Sequence, residues 1–325
     1  MNKDHEGTPV LMKIYFAPLE GITYHIFRNA YNSIYGNIDK YFSPFISPAE
    51  KCPITPRERK DIIPENNAGL SLVPQILTCR SDYFIAAAKE LHAMGYTELN
   101  LNLGCPSGTV CAKGKGAGFL ADTPALQSFL DDIYSYAASD NMKISLKTRL
   151  GYSDPDEFYV LMDLFNSYPV SELIIHPRIR SDFYKGEPRR EYFAYALEHS
   201  KCPLVYNGNI FTCKDYNELS EQFGTALDPI MSGRGLIADP SLAGKLKGLE
   251  TETDFVKLRR LHDTLYHEYQ KIMSPDINVL YKMRELWTYW QPLFGGSARD
   301  IKNLLKAKRY ADYEAIAYRL LSDKT

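Results

Sequence analysis

The feature that most constrains this chain is a recurrence of short apolar runs, rich in β-branched and aromatic residues, that return at a nearly fixed interval. Eight such runs occur, over 13–19, 41–47, 71–77, 98–103, 144–148, 172–176, 204–207 and 229–233. Each has the length and composition of a parallel strand buried on both faces. Helical patterns lie between most of them, at 81–94, 124–138, 155–166, 189–198 and 212–222, and several open on Ser, Thr, Asp or Pro as helix starts do. Markers near the strand ends are Pro18, Ile46, Gln75, Asn102, Lys147, His176, Asn207 and Gly233, which fall 26 to 31 residues apart with one gap of 45. One strand and helix per roughly 30 residues, eight times, predicts a (β/α)8 TIM barrel. The alternative is an open doubly wound sheet. The first strand is followed by Pro18-Leu19-Glu20-Gly21-Ile22 without a G-x-G-x-x-G fingerprint, which argues against one subclass of that alternative.

After about residue 248 the strand pattern stops, and four helical segments follow near 254–272, 276–290, 297–308 and 311–322. In the first, Phe255, Leu258, Leu261, Leu265, Tyr269 and Ile272 form one apolar stripe. In the third, Ser297 and Asp300 stand at capping-box spacing. The expected organisation is α/β: a TIM-barrel catalytic domain over 1–248 and a small C-terminal helical bundle over 249–325.

With 325 residues, 45% of them hydrophobic and 24% charged, the chain has apolar side chains enough for a large core and too little charge bias for disorder. Its 38 Lys plus Arg against 40 Asp plus Glu deny a whole-chain basic signature, so any nucleic-acid site must be a local patch. The six cysteines form no C-x-x-C pair and no zinc-spaced cluster, so neither metal nor disulfide framework is expected and a reducing cytoplasm fits best. The N-terminus has no apolar leader pattern, and no run approaches ~18 apolar residues.

Barrel sites form where strands end, so the polar strand-end residues matter most: Gln75, Asn100, Asn102, Lys147, Arg149, His176, Arg178, Asn207 and Arg234. Asn207-Gly208-Asn209 and Ser232-Gly233-Arg234-Gly235 end strands seven and eight, where glycines let backbone N–H groups approach an anion and Arg234 adds a fixed positive charge. They imply a phosphorylated cofactor or substrate, although either glycine pair alone is as readily a turn. Lys147 suits a Schiff-base lysine, a phosphate ligand, a cation beside a flavin or a plain solvent-tipped lysine. His176 suits a hydrogen-bonded structural role as well as a functional one. The long gap carries Gly114-Lys115-Gly116-Ala117-Gly118 and two cysteines. Cys105, between Gly104 and Pro106, opens that loop over the barrel mouth; an ordinary thiol, with pKa near ~8.5, stays protonated at neutral pH and can donate a proton to a developing carbanion. Cys111 is the weaker candidate.

These residues bring in a family. The chain resembles the tRNA-dihydrouridine synthases through Ala17-Pro18-Leu19-Glu20-Gly21-Ile22-Thr23, Leu99 to Ser107, Lys147-Thr148-Arg149, His176-Pro177-Arg178, Asn207-Gly208-Asn209-Ile210 and Gly233-Arg234-Gly235. The Asn102-Leu103-Gly104-Cys105-Pro106 core is the specific element; the others are shared with flavin barrels generally. Leu19, Tyr24 and Pro177 depart from residues common in that family. The resemblance implies reduction of the 5,6 double bond of uridine in tRNA, with FMN bound and NADPH or NADH as reductant. It implies that Pro18, Leu19 and Gln75 line the flavin ring, that Lys147 faces its pyrimidine edge and that His176 lies close by. Asn207, Gly208, Asn209, Gly233 and Arg234 would hold the phosphate, Asn102 and Arg178 would touch the uracil or ribose, and Cys105 would protonate carbon 5. The target base must then be exposed or flipped.

The C-terminal bundle acquires tRNA as its partner, supported by seven cations, Lys282, Arg284, Arg299, Lys302, Lys306, Lys308 and Arg309, against Glu285 and Asp300. A monomer is expected. The rival readings are an FMN-dependent dehydrogenase of a free pyrimidine and a non-catalytic RNA-binding barrel.

Overall fold

Pro74 turns eight apolar runs into nine short strands, because a residue without an N–H cannot carry a ladder through the middle of the third run. In a computed structural model describing residues 12–324, the strands are β1 Ile14–Phe16, β2 Lys40–Phe42, β3 Leu72–Val73, β4 Gln75–Ile76, β5 Glu98–Leu103, β6 Lys143–Gly151, β7 Leu173–Ile179, β8 Leu204–Asn207 and β9 Ile230–Ser232. All pair in parallel, in the order β3-β2-β1-β9-β8-β7-β6-β5-β4. The first strand thus pairs with the last. The two ends of the order, β3 and β4, are consecutive segments of chain, and a bridge from Ile46 to Ile76 nearly closes the ring. This is the TIM barrel, not the open sheet.

Alternate residues of a strand face the same side, and here the inward set changes chemistry along the barrel axis. Tyr15, Phe42, Val73, Ile174, Val205 and Met231 form a buried apolar plug. Below it Lys40 bonds Glu98 at 3.0 Å and Glu172 at 3.2 Å, and the Tyr15 hydroxyl donates to Glu172 at 2.8 Å. Two residues further along the strands than Ile174, Val205 and Met231 stand His176, Asn207 and Gly233, and the polar layer they begin is the mouth.

The five helical patterns appear as Ser81–Ala93, Thr123–Ser139, Glu157–Phe165, Arg190–His199 and Cys213–Phe223. The last is opened by a full capping box between Thr212 and Asp215. After the barrel come Phe255–Ile272, Asp276–Trp290, Ala298–Leu304 and Tyr310–Ser322. Two expectations are corrected there. Ile272 is the last residue of its helix and is 51% exposed, so the buried stripe is Leu258, Leu261, Leu265 and Tyr269. Ser297 makes no side-chain cap; Asp300 reaches Arg319 instead, at 2.7 Å.

These helices rest directly on the barrel. Trp290 donates to the Ile237 carbonyl at 2.9 Å and Tyr35 to that of Asp254 at 3.5 Å, within one buried apolar cluster that runs through both regions. No described helix is long and apolar enough to cross a membrane. The first eleven residues, read for a leader, lie outside the described residues.

Candidate active site

A cavity of about 620 Å³ opens at the C-terminal ends of the strands, within the size range of clefts that take a drug-sized ligand. Most of the residues singled out in the sequence line it: Pro18 and Leu19 after β1, Gln75 on β4, Asn102 and Cys105 at the end of β5, Lys147 and Arg149 on β6, His176 on β7, Asn207 and Gly208 at the end of β8, and Gly233 and Arg234 after β9. Asn209 and Arg178 stand behind the wall.

Cys105 is held from two sides. The Asn102 side-chain oxygen accepts the N–H groups of Gly104 and Cys105 at 3.0 and 2.9 Å, which turns the chain sharply out of β5. The same amide donates to Gln75 at 2.7 Å, Gln75 donates to Asn100 at 2.8 Å, and Asn100 to Ser145 at 2.9 Å. A fully partnered buried amide chain fixes its members far better than isolated pairs would. From the other side the Cys105 carbonyl accepts Ala117 N–H at 3.0 Å and the Cys111 thiol at 3.4 Å. The glycine-rich excursion is therefore no open lid: it folds into a short helix Gly108–Cys111 and a 3-10 turn Gly116–Ala121 that brace the cysteine. Gly116, at φ +58, leaves no room for a side chain, since a Cβ would come within 2.9 Å of the Cys105 Cβ. Cys111 serves this brace. Burial pushes the Cys105 thiol up, against smaller downward pulls that include Arg149 and Lys147, so it is a protonated thiol at neutral pH.

The wall beside it, running on from β6, is basic. Lys147 has no hydrogen bond or ion pair among the described residues, and burial, helped by Arg149, brings it down to about 7. His176 receives a 2.8 Å contact at Nε2 from Arg178 Nη1. A guanidinium can only donate, so Nε2 is the acceptor and the ring is neutral with its proton on Nδ1. Burial first, then the surrounding Arg149, Lys147, Arg178 and Arg234, hold this imidazole well below its usual range. Arg178 is itself buried and also donates to the carbonyls of Lys185 at 3.2 Å and Gly186 at 2.5 Å. Its expected place at the substrate is taken by a place behind His176.

Arg149, a polar strand end given no role from sequence, donates to the carbonyls of Gly104, Ile179 and Phe183 at 2.8, 2.9 and 2.7 Å. It thereby ties the cysteine loop to the chain after β7, and burial lowers it to about 10. Tyr184 lies on that chain, with Arg234 over its ring at 4.4 Å.

The remaining corner is built for an anion. Gly208 and Gly233 bring bare backbone to the cavity, Asn207 donates to the Met231 carbonyl at 2.9 Å and so joins the two strand ends, and Asn209 steadies Arg234 at 3.3 Å. Arg234 is sandwiched between Tyr184 and Phe211. Glu285 and Tyr289 complete the wall from the helix Asp276–Trp290. Sequence reading missed these two because nothing local marks which exposed face of a distant helix will meet a barrel mouth.

Together these features define a β/α-barrel enzyme whose mouth sets a cysteine thiol beside a bank of basic side chains. The sequence matches the dihydrouridine synthase (Dus) family over residues 15–297, and the chain belongs to that family of oxidoreductases. It is 28% identical over 306 residues to a probable tRNA-dihydrouridine synthase of Staphylococcus aureus, covering 92% of this chain and 90% of that one. It is 30% identical over 254 residues to a tRNA-dihydrouridine(16) synthase of Pseudomonas syringae, covering 76% and 78%. Among solved structures, PhdJ bound to substrate intermediate superposes over 96% of this chain and 95% of its own at a TM-score of 0.45 and 11% identity, a likeness too loose to add to what the strand order shows.

Proposed function

We propose that this protein reduces the 5,6 double bond of uridines in tRNA, with FMN bound in the cavity, NADPH or NADH as the source of electrons, and Cys105 as the acid that protonates carbon 5. The observation that carries this reading is the pairing of a protonated thiol, anchored through Asn102, with a lysine on the neighbouring strand that has no hydrogen bond or ion pair among the described residues. A bound reduced flavin supplies a hydride to carbon 6 of the uracil. The residues present fit that group. Lys147, which has no ion pair among the described residues, would be held protonated by the negatively charged edge of a reduced flavin. The Gly208, Gly233 and Arg234 corner suits its phosphate, and Pro18, Leu19 and Gln75 offer a wall for a flat ring.

The chain's own residues then divide the work. Cys105 holds a proton at Sγ and gives it to carbon 5 as negative charge develops there, and its raised pKa keeps the proton in place until then. Asn102 sets the direction of the thiol by fixing two consecutive N–H groups, and one of its amide hydrogens is left for the base. His176 is neutral with its proton on Nδ1, a state the Nε2 contact with Arg178 imposes, and is available as a donor on the cavity wall. A uridine must leave its stack to enter so narrow a mouth.

The division into a barrel over 1–248 and a tRNA-binding helical domain over 249–325 belongs to the same proposal, as does a cytoplasmic site of action. It is supported by the reach of Glu285 and Tyr289 to the cavity wall, which a free pyrimidine would not need. Of the seven cations counted there, Lys282 bonds the Gly21 carbonyl and Arg284 those of Leu280, Leu305 and Ala307. Arg309 pairs with Asp312 at 2.8 Å. The exposed Arg299, Lys302, Lys306 and Lys308 remain for phosphates. The test is titration of the purified protein with FMN. Saturable binding with a perturbed flavin spectrum is expected, weakened in Arg234→Ala; absence of binding overturns the proposal.

A further inference from the structure

The helix Asp276–Trp290 has two faces, and only one is spent. Val279, Leu280, Met283, Leu286, Trp287 and Trp290 are buried. On the other side Asn278, Tyr281, Lys282, Glu285 and Tyr289 recur at helical spacing, and this row runs straight into the catalytic cavity, whose wall includes Glu285 and Tyr289. A second depression continues it outward, lined by Ile272, Asn278, Tyr281, Lys282 and Glu285. Tyr281 is 60% exposed, the largest exposure among the aromatic residues there. Its ring is not loose: the Arg284 guanidinium lies 4.6 Å from the ring centroid, and Arg284 is pinned by three backbone carbonyls. A rigid, half-covered aromatic ring beside cations, in line with an active site, is what a nucleobase stacks on.

We propose that this face tracks the RNA strand leading away from the cavity, with Tyr281 stacking on a base a few nucleotides from the uridine that is reduced. The inference rests on the tRNA reading above. The geometry sets the spacing, since Tyr281 and Tyr289 lie about 12 Å apart along the helix axis. Charge sets the orientation. The exposed Arg57, whose guanidinium stands over the Tyr24 ring at 4.9 Å, attracts phosphates. Glu285, between Tyr281 and the cavity, repels them and accepts from base edges. The strand therefore runs with its bases toward the helix, as stacking on Tyr281 also requires.

The test compares wild type, Tyr281→Ala and Tyr281→Phe, each loaded with FMN, on unmodified tRNA transcripts with NADPH, alongside direct binding of the same transcripts. Tyr281→Ala is expected to raise both KM and Kd about fivefold or more, with kcat within about twofold, whereas Tyr281→Phe keeps the ring and behaves as wild type. Unchanged KM and Kd in Tyr281→Ala overturn the inference. So does a concentration-dependent dimer that Tyr281→Ala dissolves, which would make the face a contact between copies. If wild type binds transcripts but forms no dihydrouridine, the reduction reading fails, while the binding comparison still decides the role of Tyr281.

Discussion

Replacing Lys147 by Met should stabilise the protein without flavin, and by an amount that depends on pH in a direction the structure dictates. Burial, with Arg149 as the lesser cause, takes this ammonium from an ordinary 10.5 to about 7. Between pH 7 and 9 the unfolded chain keeps a proton at this residue that the folded chain has released. Stability therefore rises with pH across that window and is lost again as pH falls toward 7. One full proton of difference corresponds to about 1.4 kcal/mol per pH unit; partial titration and cavity water reduce the two-unit total to about 1 to 2 kcal/mol. Met has a similar length and no charge, so Lys147→Met removes this dependence. The assay is urea unfolding of flavin-free wild type and variant at pH 7 and pH 9, because other titrating groups cancel in the difference. The variant should be the more stable at pH 7, with its advantage shrinking by about 1 to 2 kcal/mol at pH 9. An advantage that does not change with pH would mean that Lys147 is an ordinary solvated lysine, and the case for an anion beside it would fall.

Arg178→Met should release the Nε2 of His176 and remove one of the charges that oppose its protonation, so the imidazole should titrate at higher pH than in wild type; histidine 15N shifts report both tautomer and pKa, and an unchanged spectrum refutes the lock. Tyr313 accepts from Trp287 Nε1 at 2.9 Å and contacts His262 Nε2 at 2.8 Å in the middle of the C-terminal helices. Tyr313→Phe should therefore cost about 1 to 3 kcal/mol by thermal or urea unfolding, and a cost near zero contradicts this account of the core. Gly235→Ala would drive a Cβ into the Ile210 carbonyl and within 2.9 Å of the Ser232 hydroxyl. A loss of about 1 to 3 kcal/mol of stability is expected, with weakened FMN binding at the adjoining anion corner; wild-type behaviour in both measurements speaks against the crowding.

The barrel was legible because its signal is global: eight runs at one interval survive errors in any single boundary. What the interval could not show is local chemistry, such as Pro74 dividing β3 from β4 or β6 and β7 running several residues beyond their apolar cores. Inward-facing site residues were legible through period two, which sets Lys147, His176 and Asn207 on the same side as Ser145, Ile174 and Val205. Arg178 shows the limit of that reasoning. It shares a face with His176 and was expected at the substrate, but its guanidinium turns back onto the ring and onto the carbonyls of Lys185 and Gly186. The glycines of the long excursion read as part of a loop over the mouth, whereas Gly116 permits close approach to Cys105 and Gly118 to Cys111. Charge counting on the last helices overestimated the free patch, because a sequence does not show which cations will satisfy helix-end carbonyls, as Arg284 does.

The measurement that bears most directly on the role of Cys105 is dihydrouridine formation in unmodified tRNA under single-turnover conditions, with flavin-loaded wild type and Cys105→Ala. Wild type should convert a defined uridine, and Cys105→Ala should bind the tRNA equally well while reducing it about 100- to 10,000-fold more slowly, the worth of a positioned acid. Equal rates for the two proteins would show that the proton reaches carbon 5 by another route.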